Sequence, residues 1–228
     1  MDVAIVLVLA GLLMVGVLRA EQLIGNARVR SAIAQQASIE EAILAFQDRF
    51  RALPGDYHRA SEFIECANGP CPNGNGNGRV ESVADNGVHE DLLAWHHLSA
   101  SGILQDRYEM QDASETVPTP TNSPRNAFGG FIHFGFDDQW GLGATTSPRH
   151  NLKTGNYLPS DVLAEIDRKI DDGLPGRGQF QFSRYAGDGA VPPAAGAPQG
   201  CTSAASAAAA GWVDSDGADN CGAAILLH

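Results

Sequence analysis

From Val3 to Leu18 the chain runs for sixteen residues without a polar side chain, VAIVLVLAGLLMVGVL, with Asp2 ahead of it and Arg19 behind. No other feature restricts the fold as strongly. Such a segment has to be covered by lipid or by other apolar surface, since leaving it in water forfeits about 25 cal/mol per Å². A lone spanning helix usually takes about 20 apolar residues, so the run is slightly short for that role. It is long for a signal-peptide core and lacks basic residues in front. Arg19 also separates Leu18 from Ala20, so no small-x-small cleavage pattern comes after it. A cleaved signal peptide stays open as the bland alternative.

Beyond Leu18 the chain carries no break signal, for there is no proline from residue 1 to 53. Val29, Ile33, Ala37, Ile43, Phe46, Phe50 and Leu53 recur at helical steps, with Ile39 on the flank. Arg28, Arg30, Gln35, Glu40, Glu41 and Arg49 fall mostly between them, and Pro54-Gly55 ends the pattern. The reading is one helix from about Asp2 to about Arg51, on the order of 75 Å long. Its first third is solvated by lipid or by other apolar helices, and its last third packs one face on a globular head.

Charge divides the chain at the same place. Residues 1–53 carry five acids and five bases, whereas residues 54–228 carry 22 acids and 10 bases and hold the whole net charge of -12. A neutral stalk therefore leads into an acidic head, and that field opposes a nucleic-acid backbone. A mean hydropathy of -0.15 excludes a multi-span membrane protein. The four cysteines lie in loop contexts, which suits an oxidising compartment. Cys66 and Cys71 flank a short Asn-Gly-Pro turn, and Cys201 and Cys221 close a segment of mostly Ala, Ser, Gly and Asp that buries too little to order itself. The expected pairs are Cys66–Cys71 and Cys201–Cys221.

Within the head, residues 54–87 form a loop-rich insertion. Val88–Ser101 reads as a short helix with Val88, Leu92 and Trp95 on one face and Gly102 beyond its end. Phe131–Phe136 alternates as a half-buried strand, with His133 on the face opposite Ile132, Phe134 and Phe136. Ser160 fits the N-cap of a helix to about Asp171, stopped by Gly173 and Pro175. Gln179–Arg184 and Ala223–Leu227 supply further strands. The fold class is α+β: a long N-terminal helix, residues 1–53, packed on a small antiparallel sheet with long loops within an acidic head, residues 54–228.

No nucleophile elbow, P-loop, dinucleotide fingerprint or HExxH motif is present, and no enzyme is expected. His96-His97 are adjacent on a helix, about 100° apart, and read as a solvated face rather than a shared metal site. Asp171-Asp172 reads as an exposed turn. Asn73, Asn75 and Asn77 before Gly78 echo the first half of a calcium loop, although position twelve would be Ala84 with Asp85 beside it. The alternative is a turn in which asparagine and glycine tolerate left-handed backbone. Asp214, Asp216 and Asp219, inside the span closed by the late cysteines, form a second calcium candidate, weighed against a solvated acidic turn.

A long helix, first apolar and then amphipathic, with an acid just before its apolar run, resembles the type IV pilins and type II secretion pseudopilins. The stretches FQDRFRALPGDYHRA (46–60), CPNGNGNGRV (71–80), AWHHLSASGIL (94–104) and IDRKIDDGLPGRG (166–178), with the late cysteine pair, extend the resemblance over most of the chain. Three features depart from that family. It has a basic leader ending in Gly-Phe, a glutamate where Asp2 stands, and often a proline near Arg19. The basic residues Arg19, Arg28 and Arg30 come after the apolar run, which alone would keep the head in the cytoplasm. An upstream basic leader would reverse that, so Met1 is expected to be an internal start or the start of a truncated chain.

The resemblance implies a structural subunit of an extracellular or periplasmic filament, resident in the inner membrane before assembly. It would contact copies of itself or other pilins through the N-terminal helix. It also implies that Asp2 pairs with the N-terminal amine of a neighbour, against the alternative of a helix N-cap at the membrane interface. Calcium in a last loop is known among pseudopilins, which bears on Asp214, Asp216 and Asp219. The competing reading is a membrane-anchored monomeric binding module with an extracytoplasmic head.

Overall fold

The computed structural model of the chain describes residues 2–67, 69–82, 87–112, 114–143, 147–187, 191–196, 200–206, 210–213 and 217–227. Side chains are described throughout these ranges except at 2–10, 16, 18, 21 and 22. The first element, α1, spans Asp2–Phe50, 49 residues or about 74 Å at 1.5 Å per residue. It ends where Arg51 takes a positive φ of 55°, just before Pro54-Gly55. The apolar run 3–18 lies largely outside the described side chains. Among the described residues no helix is long and apolar enough to cross a membrane.

Head packing starts at Val29. Among the described side chains the buried positions of α1 are Val29, Ala32, Gln36, Ile39, Ala42, Ile43 and Phe46, spaced by three or four residues except for the adjacent Ala42 and Ile43. This corrects the stripe expected from sequence. Ala37 is exposed, Ile33 is only half-buried, and Ile39 sits at the centre of the face. The polar Gln36 occupies a core-facing position, which a hydrophobicity pattern cannot register.

After α1 come α2 (Ala60–Phe63) and a tight hairpin of β1 (Glu65–Cys66) and β2 (Gly69–Pro70), closed by a Cys66–Cys71 disulfide with Cα atoms 4.9 Å apart. Helix α3 spans Glu90–Ala100, followed by β3 (His133–Asp137), β4 (Arg149–Lys153), α4 (Ser160–Ile170), β5 (Phe180–Phe182) and β6 (Ala223–Leu226). The four later strands form an antiparallel sheet in the order β3-β4-β6-β5. The second disulfide, Cys201–Cys221, has a Cα separation of 5.6 Å. The class is α+β, and both cysteine pairs are those expected from the sequence.

The register explains the layering. Phe134 pairs with Leu152, Leu152 with Ile225 and Ile225 with Phe180, so these four lie in one row on one face. Phe134 and Leu152 pack with Ile39, Ala42, Ile43 and Phe46 of α1 and with Trp95 and Leu98 of α3. Phe180 and Phe182 pack with Val29, Ala32, Leu163, Ala164, Ile166 and the Cys201–Cys221 bridge. Helix α1 thus serves two adjoining cores.

Several local readings change. The Phe131–Phe136 segment is buried on both faces apart from Phe136, which is half-buried, because His133 lies under the neighbouring loops at 4% exposure. Strand β4 has no period-2 apolar signature in Arg-His-Asn-Leu-Lys. The N-cap of α4 is Pro159 and not Ser160, whose hydroxyl instead donates to the Val213 carbonyl. Glycine is required where three segments meet. A Cβ on Gly55 would stand 2.3 Å from the Glu90 carbonyl oxygen, and one on Gly74 would stand 2.1 Å from the Gly55 oxygen.

Phe46 is fully buried, against Phe50, Tyr57 and a parallel His97 ring. Phe46→Ala should therefore lower unfolding free energy by about 3–5 kcal/mol in a denaturant titration. Leu44→Ala, two positions away on the exposed side, should change it by less than about 0.5 kcal/mol.

Candidate assembly surface on the N-terminal helix

Residues 12 to 15 of α1 are successive, so their side chains point about 100° apart and cover the whole circumference of the helix. All four are apolar and exposed, at 66% for Leu12, 71% for Leu13 and Met14, and 54% for Val15. Val17, Leu23 and Ile24 continue the surface toward the head. A helix that is apolar all round is a buried helix, in contrast to the one-sided stripe from Val29 onward. One partner helix covers one side only. Covering this segment takes lipid or several helices.

Separate apolar features lie on the head. Leu44 is 56% exposed on α1. A groove of about 370 Å³ beside it is lined by Ile43, Leu44, Leu53, Phe134 and Leu227. A second groove, about 180 Å³, runs between α1 and α4 along Ile33, Gln36, Ala37, Ile166, Phe180 and Ile225. The Gln36 side-chain oxygen is buried without a hydrogen-bond partner among the described residues.

Of the residues singled out from sequence, Asp2 begins α1, but its side chain lies outside the described residues. Asp214 and Asp216 lie outside them entirely, and Asp219 is exposed. The Asn73, Asn75 and Asn77 side-chain oxygens accept the backbone N–H groups of Ser61, Asn77 and Arg79 at 2.8, 2.9 and 2.8 Å. Two carboxylates hold this loop from inside. Asp56 accepts from the N–H groups of Asn77 and Gly78, both at 2.9 Å. Glu90, at the start of α3, accepts from Asn75 at 2.8 Å and from Glu81 at 3.2 Å.

His96 and His97 are buried, not solvated, because the 54–87 insertion and the loop after α3 wrap that helix on every side. His97 Nδ1 accepts from the Gly55 N–H at 3.1 Å, and its Nε2 donates to the Pro72 carbonyl at 2.9 Å. Burial lowers its pKa to about 4, so it stays neutral. Asp171 is no free turn residue either: its Oδ2 accepts from the N–H groups of Gln179 and Phe180, the latter at 2.8 Å.

Sequence reasoning missed a charged cluster on the second face of the sheet. Lys153, fully buried, is paired with Asp137, while His133 lies between Asp137 at 3.6 Å and Asp91 at 3.5 Å. Tyr185 stacks on His133 and lies under the Lys153 ammonium. Burial alone would raise the Asp137 pKa, but His133 and Lys153 outweigh it and hold the carboxyl well below its usual range. The alternation of His133, Asp137 and Lys153 on one side of their strands was the available signal. These groups neutralise one another within the fold, as a structural network does.

Neither a family model, nor a curated protein, nor a solved structure matches the chain.

Burial, aided by the charges of Asp56 and Glu81, pushes the Glu90 pKa up to about 7 despite its N–H partners. Glutamate in an unfolded chain titrates at about 4.3, so the folded state holds this proton more tightly. The resulting stability is fully present below about pH 4 and is lost as pH rises through about 7. In Glu90→Gln the amide sets a donor against a backbone N–H, which costs stability at pH 5. The gap between the variant and the parent should narrow from pH 5 to pH 8, measured by urea unfolding at both values. An unchanged gap would contradict the buried, proton-binding Glu90.

Proposed function

We propose that the protein is a structural subunit of a type IV pilus-like or pseudopilus filament. In this reading α1 holds the subunit in the inner membrane before assembly, and neighbouring subunits replace lipid around it afterwards. The acidic head then faces outward, in the periplasm or outside the cell. The observation that carries the reading is the all-round apolar exposure of Leu12, Leu13, Met14 and Val15. Its support from sequence is the resemblance to pilins and pseudopilins in the stalk and in the order of the head motifs. No catalytic role is proposed for any residue.

Lipid alone would cover residues 12–17 equally well, as in a membrane-anchored monomeric binding module. Length favours the first reading. Leu44 lies 32 residues beyond Leu12, about 48 Å along the helix, whereas the hydrocarbon core is about 30 Å thick. A bilayer that covers Leu12 leaves Leu44 and its adjoining groove uncovered. Neighbouring subunits reach both.

Leu44→Lys should therefore leave membrane insertion and head folding intact while lowering the yield of sedimentable filaments at least tenfold. Loss of the gene should correspondingly remove surface filaments or impair secretion. Unchanged filament yield in Leu44→Lys would favour the anchored monomer.

A further inference from the structure

The two disulfides have different surroundings. Cys201 and Cys221 are wholly buried in an apolar core, and among the described residues no third metal-ligating side chain joins them. Cys66 and Cys71 belong to the surface hairpin, and His96 of α3 stands against them. The two sulfurs and a ring nitrogen of His96 all lie within 4.8 Å of one another. All three residues are more than nine-tenths buried, yet Cys66 and His96 line a cavity of about 270 Å³ with Ser99, Arg107, Tyr108 and Glu109.

His96 is also distinct from its neighbour. Both ring nitrogens of His97 are engaged within the fold. Among the described residues His96 takes one long contact, from the Met110 N–H to Nδ1 at 3.4 Å, so the lone pair of its ring is only weakly engaged and the other ring nitrogen carries the proton of the neutral form. Burial lowers the proton affinity of this ring, which favours its neutral form.

We infer that reduction of the Cys66–Cys71 disulfide turns this corner into a binding site for a borderline-soft divalent cation of the zinc class. The Cys66 and Cys71 thiolates and the His96 imidazole supply three ligands. Water from the cavity takes the fourth position, as in zinc sites with three protein ligands. With bonds of about 2.0–2.3 Å, ligand atoms around tetrahedral zinc stand roughly 3.5–3.8 Å apart, so only a small rearrangement is needed. The sulfurs move apart once their bond is broken, and the ring nitrogen adjusts to meet them.

The step balances. A dithiol reductant gives two electrons and two protons to the disulfide and becomes a disulfide itself, leaving two thiols. Metal binding then releases the two thiol protons, and two thiolates with one neutral imidazole cancel the cation's charge. The site is independent of filament formation, because it needs only the head corner and a reductant.

The test uses the full chain in detergent, reduced anaerobically with a water-soluble phosphine, which becomes the phosphine oxide. Cobalt(II) is then titrated as the zinc probe. The expected result is one cobalt per chain with a thiolate-to-cobalt charge-transfer absorption that added zinc abolishes. Cys66→Ala with Cys71→Ala should remove that absorption while Cys201 and Cys221 remain. His96→Gln should weaken cobalt binding at least about tenfold with the far-ultraviolet spectrum unchanged. No charge-transfer band in the reduced parent, or a band that survives the double cysteine change, would overturn the assignment. Unweakened binding in His96→Gln would do the same. Should His96→Gln not fold, the parent's cobalt-shifted imidazole proton resonances decide, and their absence counts against the site.

Discussion

The packing of α1 from Val29 to Phe46 is the contact on which the rest of the head depends. Val29 and Ala32 complete the core built by α4, β5 and the Cys201–Cys221 bridge, while Ile39, Ala42, Ile43 and Phe46 complete the one built by α3, β3 and β4. The sheet offers one apolar face, the row of Phe134, Leu152, Ile225 and Phe180, and α1 lies along it. Without that helix both cores would open to water at once. The same helix continues for some 27 residues before Val29, where the described apolar side chains are bare on every side. One helix thus both completes the head and carries the exposed apolar segment.

The opposite face of the sheet obeys different physics. It holds buried Lys153, His133 and Asp91 and half-buried Asp137 under loops, where isolated charges would cost several kcal/mol each. Mutual pairing offsets that cost and leaves a cluster that specifies one arrangement of the strands. Asp56 and Glu90 act similarly on the Gly-Asn loop, where a carboxylate from below satisfies the N–H groups that a tight loop leaves over. Large irregular segments are held here by buried carboxylates and two disulfides, as expected of loops with few bulky apolar residues.

The elements with strong periodicity were legible. The helix over 2–50, the strand at Phe180–Phe182, α4 and both cysteine pairs emerge from spacing, breaker residues and loop composition. The hidden features depend on partners distant in sequence. Strand β4 reads as polar because its Lys153 is neutralised by Asp137 across the ladder. Gln36 interrupts the helical stripe without a polarity signal to predict its burial. His96 and His97 look solvated until the 54–87 insertion is wrapped around them, and Ser160 looks like a cap until Val213 is brought to its hydroxyl. Of the candidate assembly surface, the apolar run was evident. Exposed Leu44 and the flanking grooves are products of the folded head.

The proposed coverage of α1 on all sides by other apolar matter in a filament is tested most directly with single cysteines. These are placed at Leu12, Leu13, Met14 and Val15 in turn, and intact filaments are exposed to a membrane-impermeant maleimide. The native cysteines, oxidised in pairs, give no background. All four positions should be shielded, independent of their 100° spacing, while a cysteine at exposed Ser203 is labelled readily. Labelling of all four at the Ser203 rate, or of one or two faces only, would contradict this, since the helix would then be bare or matched to a single partner.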